Sequence, residues 1–496
     1  MPELSRSSGV LMPISSLPSP CGIGTFGKMA YEFVDFLKAS GQKFWQILPI
    51  GPTGYGDSPY SSFSTRAGNP YFIDPEILLE QGLVTENDLS SPDWGSCAET
   101  ADYGMLYRSR PVLLKKAFES GKKKLAARLD GFRSENPWVE DYSLFMALKA
   151  HFGMKGWSDW PDDGIRLCRR DSVEKYRYLL AKETDFYSFT QMLFFDQWRS
   201  LKNYANENGI LILGDIPIYT ALESVEVWAE PDQFLLDADR RPTFVAGVPP
   251  DAFTADGQLW GNPIYDWSGM KSDGYAWWKE RLESTVRLYD AVRFDHFRGL
   301  DSYWAIPAGD STAVNGRWLP GPGKDLVKIM KEDFPETIFI AEDLGYLTDS
   351  VAELVKYSGF PGMKILEFAF DGHGDSIYLP EKCTENSVCY LGTHDNDTVL
   401  GWLSGLSKAD REYAADYMNI KAEEGWNWGM IRTGMNTRSK LFIVQMQDIL
   451  ELDGKARMNY PSKSNGYWRW RMKPGAATEK ISEKLLAYTV SAGRYP

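Results

Sequence analysis

Asp290-Ala-Val-Arg-Phe-Asp-His-Phe-Arg-Gly299 is a short apolar run that ends in charge. Side chains of a strand alternate between its two faces, so Ala291, Arg293 and Asp295 point the same way. A strand that buries charge only at its end suits a closed barrel, whose apolar interior opens into a polar mouth at the C-terminal ends of its strands. Three more runs end the same way: 210–214 leads into Asp215, 338–341 into Glu342 and Asp343, and 388–392 into Thr393-His-Asp-Asn396. Glu342 shares a face with Ile338 and Ile340, and Asp215 with Leu211 and Leu213, so both carboxyls are expected to face inward and Asp343 to face the helices.

Outward from these four, apolar runs at 9–12, 43–48, 363–367 and 441–445 complete a set of eight candidate strands. Between them, 28–39, 189–208, 276–288, 324–333 and 350–357 carry apolar residues at helical spacing. Eight strands alternating with helices predict an α/β fold, the (β/α)8 TIM barrel. Two spacings are too long for simple connections, which predicts an interrupted barrel of residues 1–53 and 189–496 with long insertions around its mouth. The first insertion, 54–188, has helical patterns of its own at 110–128 and 141–151 and is expected to be a subdomain. The second, 216–275, includes a loop at 246–263 rich in Pro, Gly and Asp.

Composition narrows the function. The 496 residues carry a formal charge of −14, which repels nucleic acid phosphates and anionic lipid and excludes both as expected partners. No run approaches the roughly 18 apolar residues a membrane span needs. The five cysteines are scattered, without zinc spacing, so the expected setting is the cytoplasm, with no metal and no cofactor. Eighteen tryptophans exceed what a core of this size requires and suit stacking on sugar rings.

The chemistry follows from the strand ends. Arg293 beside Asp295 is expected to lower the carboxyl's pKa and hold it ionised, as a glycosidic nucleophile requires. Glu342 against the apolar lining is expected to have a raised pKa and to serve as proton donor. Taken alone, the Arg293–Asp295 pair reads sooner as a structural pair capping a strand, and Asp395 or Asn396 as a helix cap; the Glu342 motif shifts the balance to chemistry. Of the four histidines, His296 and His394 fall in these motifs, whereas His151 and His373 have no such setting. Gly51-Pro-Thr-Gly-Tyr-Gly56 lacks the lysine of a phosphate loop and reads as a turn.

The sequence as a whole resembles the 4-α-glucanotransferases, also called amylomaltases or disproportionating enzymes, glycoside hydrolase family 77 of the α-amylase-like superfamily. The resemblance rests on Asp57-Ser-Pro-Tyr-Ser-Ser-Phe-Ser64, Gly68-Asn-Pro-Tyr-Phe72, Gly214-Asp-Ile-Pro-Ile218, Gly247-Val-Pro-Pro-Asp-Ala-Phe253, Leu259-Trp-Gly-Asn-Pro263, Arg293-Phe-Asp-His-Phe-Arg298, Ala341-Glu-Asp-Leu-Gly345 and Gly392-Thr-His-Asp-Asn396. It implies Asp295 as nucleophile, Glu342 as acid/base and Asp395 as the third carboxylate, which binds sugar hydroxyls and favours ring distortion. It further implies substrate contacts from Tyr60, Asp215, Trp260, Arg293 and His394, with Ser58 and His296 beside them. The expected reaction is retaining transfer of an α-1,4-glucan segment to the 4-hydroxyl of an acceptor, which needs carboxyl groups about 5–5.5 Å apart. Expected partners are malto-oligosaccharides, amylose, starch or glycogen chains, and glucose as acceptor. The 246–263 loop is expected to shield the intermediate from water. In one departure, Tyr467 stands where the family has Asn before Trp468, with Asn465 the nearest amide. The alternatives are an α-amylase-type hydrolase with the same carboxylates and, more remotely, a glucan-binding protein without catalysis.

Overall fold

The computed structural model describes residues 4–54, 56–250, 254–345, 347–370, 375–461, 463 and 466–495. Eight parallel strands close a barrel: β1 (Ser7–Leu11), β2 (Phe44–Gln46), β3 (Leu211–Pro217), β6 (Ala291–Asp295), β9 (Ile338–Ala341), β10 (Gly362–Ile365), β11 (Ser387–Tyr390) and β12 (Leu441–Gln445). Their order around the barrel is their order in the chain, with β12 returning to pair β1 from Ser7↔Leu441 to Leu11↔Gln445. The strands are apolar on both faces because one lines the barrel and the other lies under helices. Gly9 is required where β1 and β2 draw together, since a Cβ there would fall 2.5 Å from the Phe44 carbonyl oxygen.

The remaining four strands, β4 (Phe244–Val248), β5 (Gln258–Pro263), β7 (Ser302–Pro307) and β8 (Arg317–Pro320), form an antiparallel sheet in the order β5-β4-β7-β8. Sequence reading placed only an insertion at 216–275 and missed this sheet. Half of it comes from that insertion and half from the stretch after β6, joined by pairs from Phe244↔Pro307 to Gly247↔Trp304. The sheet therefore straddles, in chain order, the strand that carries Asp295.

The outer helices Lys28–Ala39, Ala276–Leu288 and Lys324–Asp333 lie where helical spacing put them. Asp349–Ser358 starts at Thr348, whose side chain accepts from the Val351 amide, and stops at Gly359, whose φ of 71° lies in the left-handed region. Two expectations need correction. The helix expected at 189–208 begins earlier, as Ala181–Glu207, because residues 181–188 continue the same buried stripe. The helix expected at 110–128 is two, Tyr103–Gly121 and Ala126–Glu135, since Gly-Lys-Lys-Lys at 121–124 offers no apolar residue to bury. The expected helix at 141–151 is Val139–His151. No helix among the described residues is long and apolar enough to cross a membrane.

Candidate active site

The sequence-selected residues converge at the C-terminal end of the barrel. Asp215 and Arg293 are register partners on β3 and β6, as are Pro217 and Asp295, so the four side chains climb the wall in step. Arg293 Nη1 lies 2.7 Å from Asp215 Oδ2 and 2.9 Å from Asp295 Oδ1. Asp215 Oδ2 also accepts a hydrogen bond from the Tyr60 hydroxyl at 2.9 Å. One guanidinium thus ties two strands, and one carboxylate fixes the aromatic ring above them.

Glu342 stands one residue beyond β9. His296 adopts φ 52° and ψ 48°, a left-handed conformation disfavoured for a residue with a Cβ. This conformation aims its amide at Glu342 Oε2, 2.8 Å away, while the Leu344 amide reaches Oε1 at 2.9 Å. The residue that follows Asp295 is therefore bonded to the second carboxyl, and the strained turn sets the two acids in register.

Their electrostatics partly correct the sequence reading. Burial pushes Asp295 above the ordinary carboxylate range; Arg293 opposes this, and Glu342 and Asp395 add to it. The expected depression by Arg293 is overridden because desolvation at the mouth and the neighbouring acids, neither visible in a local motif, outweigh one guanidinium. Glu342 is raised as expected, by burial, against Arg293 and its two amide donors. Asp215 is pushed up to about 7, by burial first, with Arg293 opposing and Asp295 reinforcing. Asp215 and Asp295 meet the guanidinium directly, whereas the Glu342 oxygens meet backbone amides.

Asp395 and His394 sit on the loop after β11. Asp395 is open, with 43% of its side chain exposed, and its Oδ1 accepts from Asn459 Nδ2 at 2.6 Å. His394 is buried, stacks on Tyr60 with ring centres 5.2 Å apart and an interplanar angle of 18°, and lies 3.4 Å from Asp395 through Nε2. Burial holds it neutral, as it does His296, whose pKa falls to about 4. Trp260, on β5, is 37% exposed and meets His296 edge-on at 4.9 Å. Ser58 closes the turn that carries Tyr60, accepting from the Tyr60 amide at 3.3 Å. Asp343 braces the site from behind by accepting from the Met363 amide of β10.

Sequence reasoning missed two supports. Arg457 Nη2 donates to the Asp395 carbonyl at 2.7 Å and its Nε to the Asn459 carbonyl at 2.6 Å, so Arg457 and Asn459 hold Asp395 from both ends. The signal was the pair of polar residues in Arg457-Met-Asn459, in irregular chain after the last strand. Tyr467 packs on Tyr460, ring centres 5.3 Å apart. Asn465, His373 and the centre of the 246–263 loop at 251–253 lie outside the described residues, and His151 is exposed, away from the mouth.

The chain as a whole is similar to known proteins. The family profile described as 4-alpha-glucanotransferase, of glycoside hydrolase family 77, covers residues 12–478. The 4-alpha-glucanotransferase of Streptococcus pneumoniae is 50% identical over 490 residues, 98% of this chain and 96% of its own. That of Clostridium butyricum is 46% identical over 97% of this chain and 100% of its own. Among solved structures, the amylomaltase from Streptococcus agalactiae in complex with acarbose superposes with a TM-score of 0.97 at 43% identity, over 99% of this chain and 100% of that one.

Proposed function

This chain belongs to the 4-alpha-glucanotransferase family, and from that membership we propose how its own residues carry the reaction. The activity is disproportionation: a segment of an α-1,4-glucan moves to the 4-hydroxyl of an acceptor glucose or glucan. Asp295 is the nucleophile and Glu342 the acid/base. Glu342 donates its proton to the glycosidic oxygen as Asp295 attacks the anomeric carbon, the C–O bond breaks, and a covalent glucosyl ester of Asp295 forms. The Glu342 carboxylate then takes the proton of the acceptor's 4-hydroxyl as that oxygen displaces Asp295, restoring the α configuration.

Asp395, fixed by Asn459 and Arg457, receives sugar hydroxyls and favours the distorted ring, with neutral His394 as its neighbour. Trp260 and Tyr60 offer ring faces to glucose units. We read 54–188 and 216–275 as insertions on a barrel of 1–53 and 189–496, and the 246–263 segment as the shield that keeps water from the ester. Position supports this last role, because Trp260 of that segment lies against His296. Malto-oligosaccharides, amylose, starch or glycogen chains and free glucose are its substrates. The cytoplasm suits five cysteines that are all unpaired.

The observation that carries the reading is the bond from the amide after Asp295 to Glu342, which links nucleophile and proton donor through one turn. With maltotriose as sole substrate, we expect a broadening ladder of products at constant reducing ends, abolished in Asp295→Asn. Rising reducing ends would instead assign a hydrolase, and retained binding with no turnover would assign a binding protein.

A further inference from the structure

Away from the mouth, a cavity of about 370 Å³ opens where the helices Ala126–Glu135, Ala181–Glu207 and Ala276–Leu288 come together. That volume lies within the range of small-molecule sites. One wall is aromatic: Phe195 packs against Trp138 and against buried Phe132, with ring centres 5.7 Å apart in each pair. Trp138 and Phe195 are only half-buried, so they leave ring surface to the cavity.

The cavity is also lined by cations. Arg66, Arg199, Lys202 and Arg287 line it, against a single acid, Glu135. This local excess of positive charge runs against the chain's net −14. Existing ion pairs absorb only part of it. Lys202 lies 3.3 Å from Asp290 and Arg66 lies 3.1 Å from Glu280, whereas Arg287 reaches Glu283 only at 4.0 Å and in the open. Arg66 Nε is buried without a partner, and Arg199 makes no ion pair among the described residues.

A bare anion has no use for the aromatic wall, and a neutral glucan has none for the cations. Aromatic rings take the C–H face of a pyranose, while guanidinium forks take phosphate oxygens two at a time. We propose that this cavity binds a phosphorylated hexose, its phosphate on Arg199 and Arg287 and its ring on Trp138 and Phe195. The site is separate from the barrel mouth and does not depend on the roles assigned there.

Calorimetric titration of the full chain with glucose 6-phosphate, glucose 1-phosphate, inorganic phosphate and glucose tests this. We expect one hexose phosphate to bind one-to-one, about ten-fold or more tighter than phosphate or glucose, since neither the rings nor the cations alone supply both contacts. Arg199→Ala combined with Arg287→Ala should weaken that binding about ten-fold or more and leave maltotriose transfer without ligand unchanged. Trp138→Ala should weaken the hexose phosphate but not phosphate. Binding that survives the double substitution lies elsewhere and overturns the assignment. Equal affinity for phosphate alone overturns the sugar part, and no heat at millimolar ligand overturns the site.

Discussion

Arg293 and Arg494 are both buried, yet they sit at opposite ends of the barrel and do opposite work. Arg494, fully buried near the start of the strands, gives its donors to backbone carbonyls: Nε to Met435, Nη1 to Ser7 and Lys440, Nη2 to Thr437 and Ser439. Among the described residues no carboxylate pairs with it, and burial, with Arg6 nearby, pulls its pKa down to about 10. Arg293, at the strand ends, has a buried Nε without a partner and gathers carboxylates. Burial would lower its pKa too, but Asp215 and Asp295 raise it well above the ordinary value. The first arginine satisfies a seam. The second leaves donors and acids imperfectly matched, as the proposed active site requires of a preorganised cluster.

The largest effect should come from Arg293→Met, which we expect to lower kcat/KM for maltotriose disproportionation on the order of 10³- to 10⁴-fold. It should cost little stability at mildly acidic pH, because the orphaned acids take up protons instead of remaining charged. A large stability loss at that pH without a loss of rate would erase the contrast. Arg494→Met should do the reverse, lowering stability by roughly 3–5 kcal/mol in denaturant unfolding, since it strips partners from several buried carbonyls. The fraction that stays folded should keep its kcat.

Asn459→Ala sharpens the contrast within the mouth. We expect a fall in kcat of roughly 10- to 100-fold with folding stability nearly unchanged, because Asp395 loses its orientation. The smallest effect concerns a buried acid with no arginine. Asp448 accepts from the Val399 amide and has its other oxygen unpartnered, and burial, with Asp397, pushes it up to about 7. Its pKa is raised in the folded state, so its contribution to stability is full below the unfolded value and is lost as pH climbs through 7. Asp448→Asn should therefore flatten the fall in stability between weakly acidic and weakly alkaline pH, by about 1–2 kcal/mol in unfolding titrations. An unchanged pH profile would mean that Asp448 is not the group responsible.

Four barrel strands were legible because each couples an apolar run to polar or charged residues at its end, the other four as apolar runs between helical stretches, and alternation then assigned Asp215, Arg293, Asp295 and Glu342 to the inner face. The antiparallel sheet was not. Its strands are short and half-exposed, β8 reading Arg-Trp-Leu-Pro, and partners such as Phe244 and Pro307 meet only after an intervening barrel strand has been placed. Arg457 and Asn459 escaped because irregular chain has no period to reveal which way a side chain points. The raised pKa of Asp295 escaped because desolvation is set by everything packed around the group, not by its neighbours in sequence.

Pairing of β1 with β12 also bears on how the chain is made. On the ribosome, β1 leaves the tunnel before every other barrel strand, but its partner β12 is translated only after all of them. At about 5–20 residues per second, Ser7–Leu11 must wait roughly 20–90 seconds with one edge open, shielded only by β2 and whatever helix has docked. An unpaired strand edge is a template for aggregation. Nascent chains of this protein stalled before residue 441 should accordingly be the ones that a holdase chaperone retains.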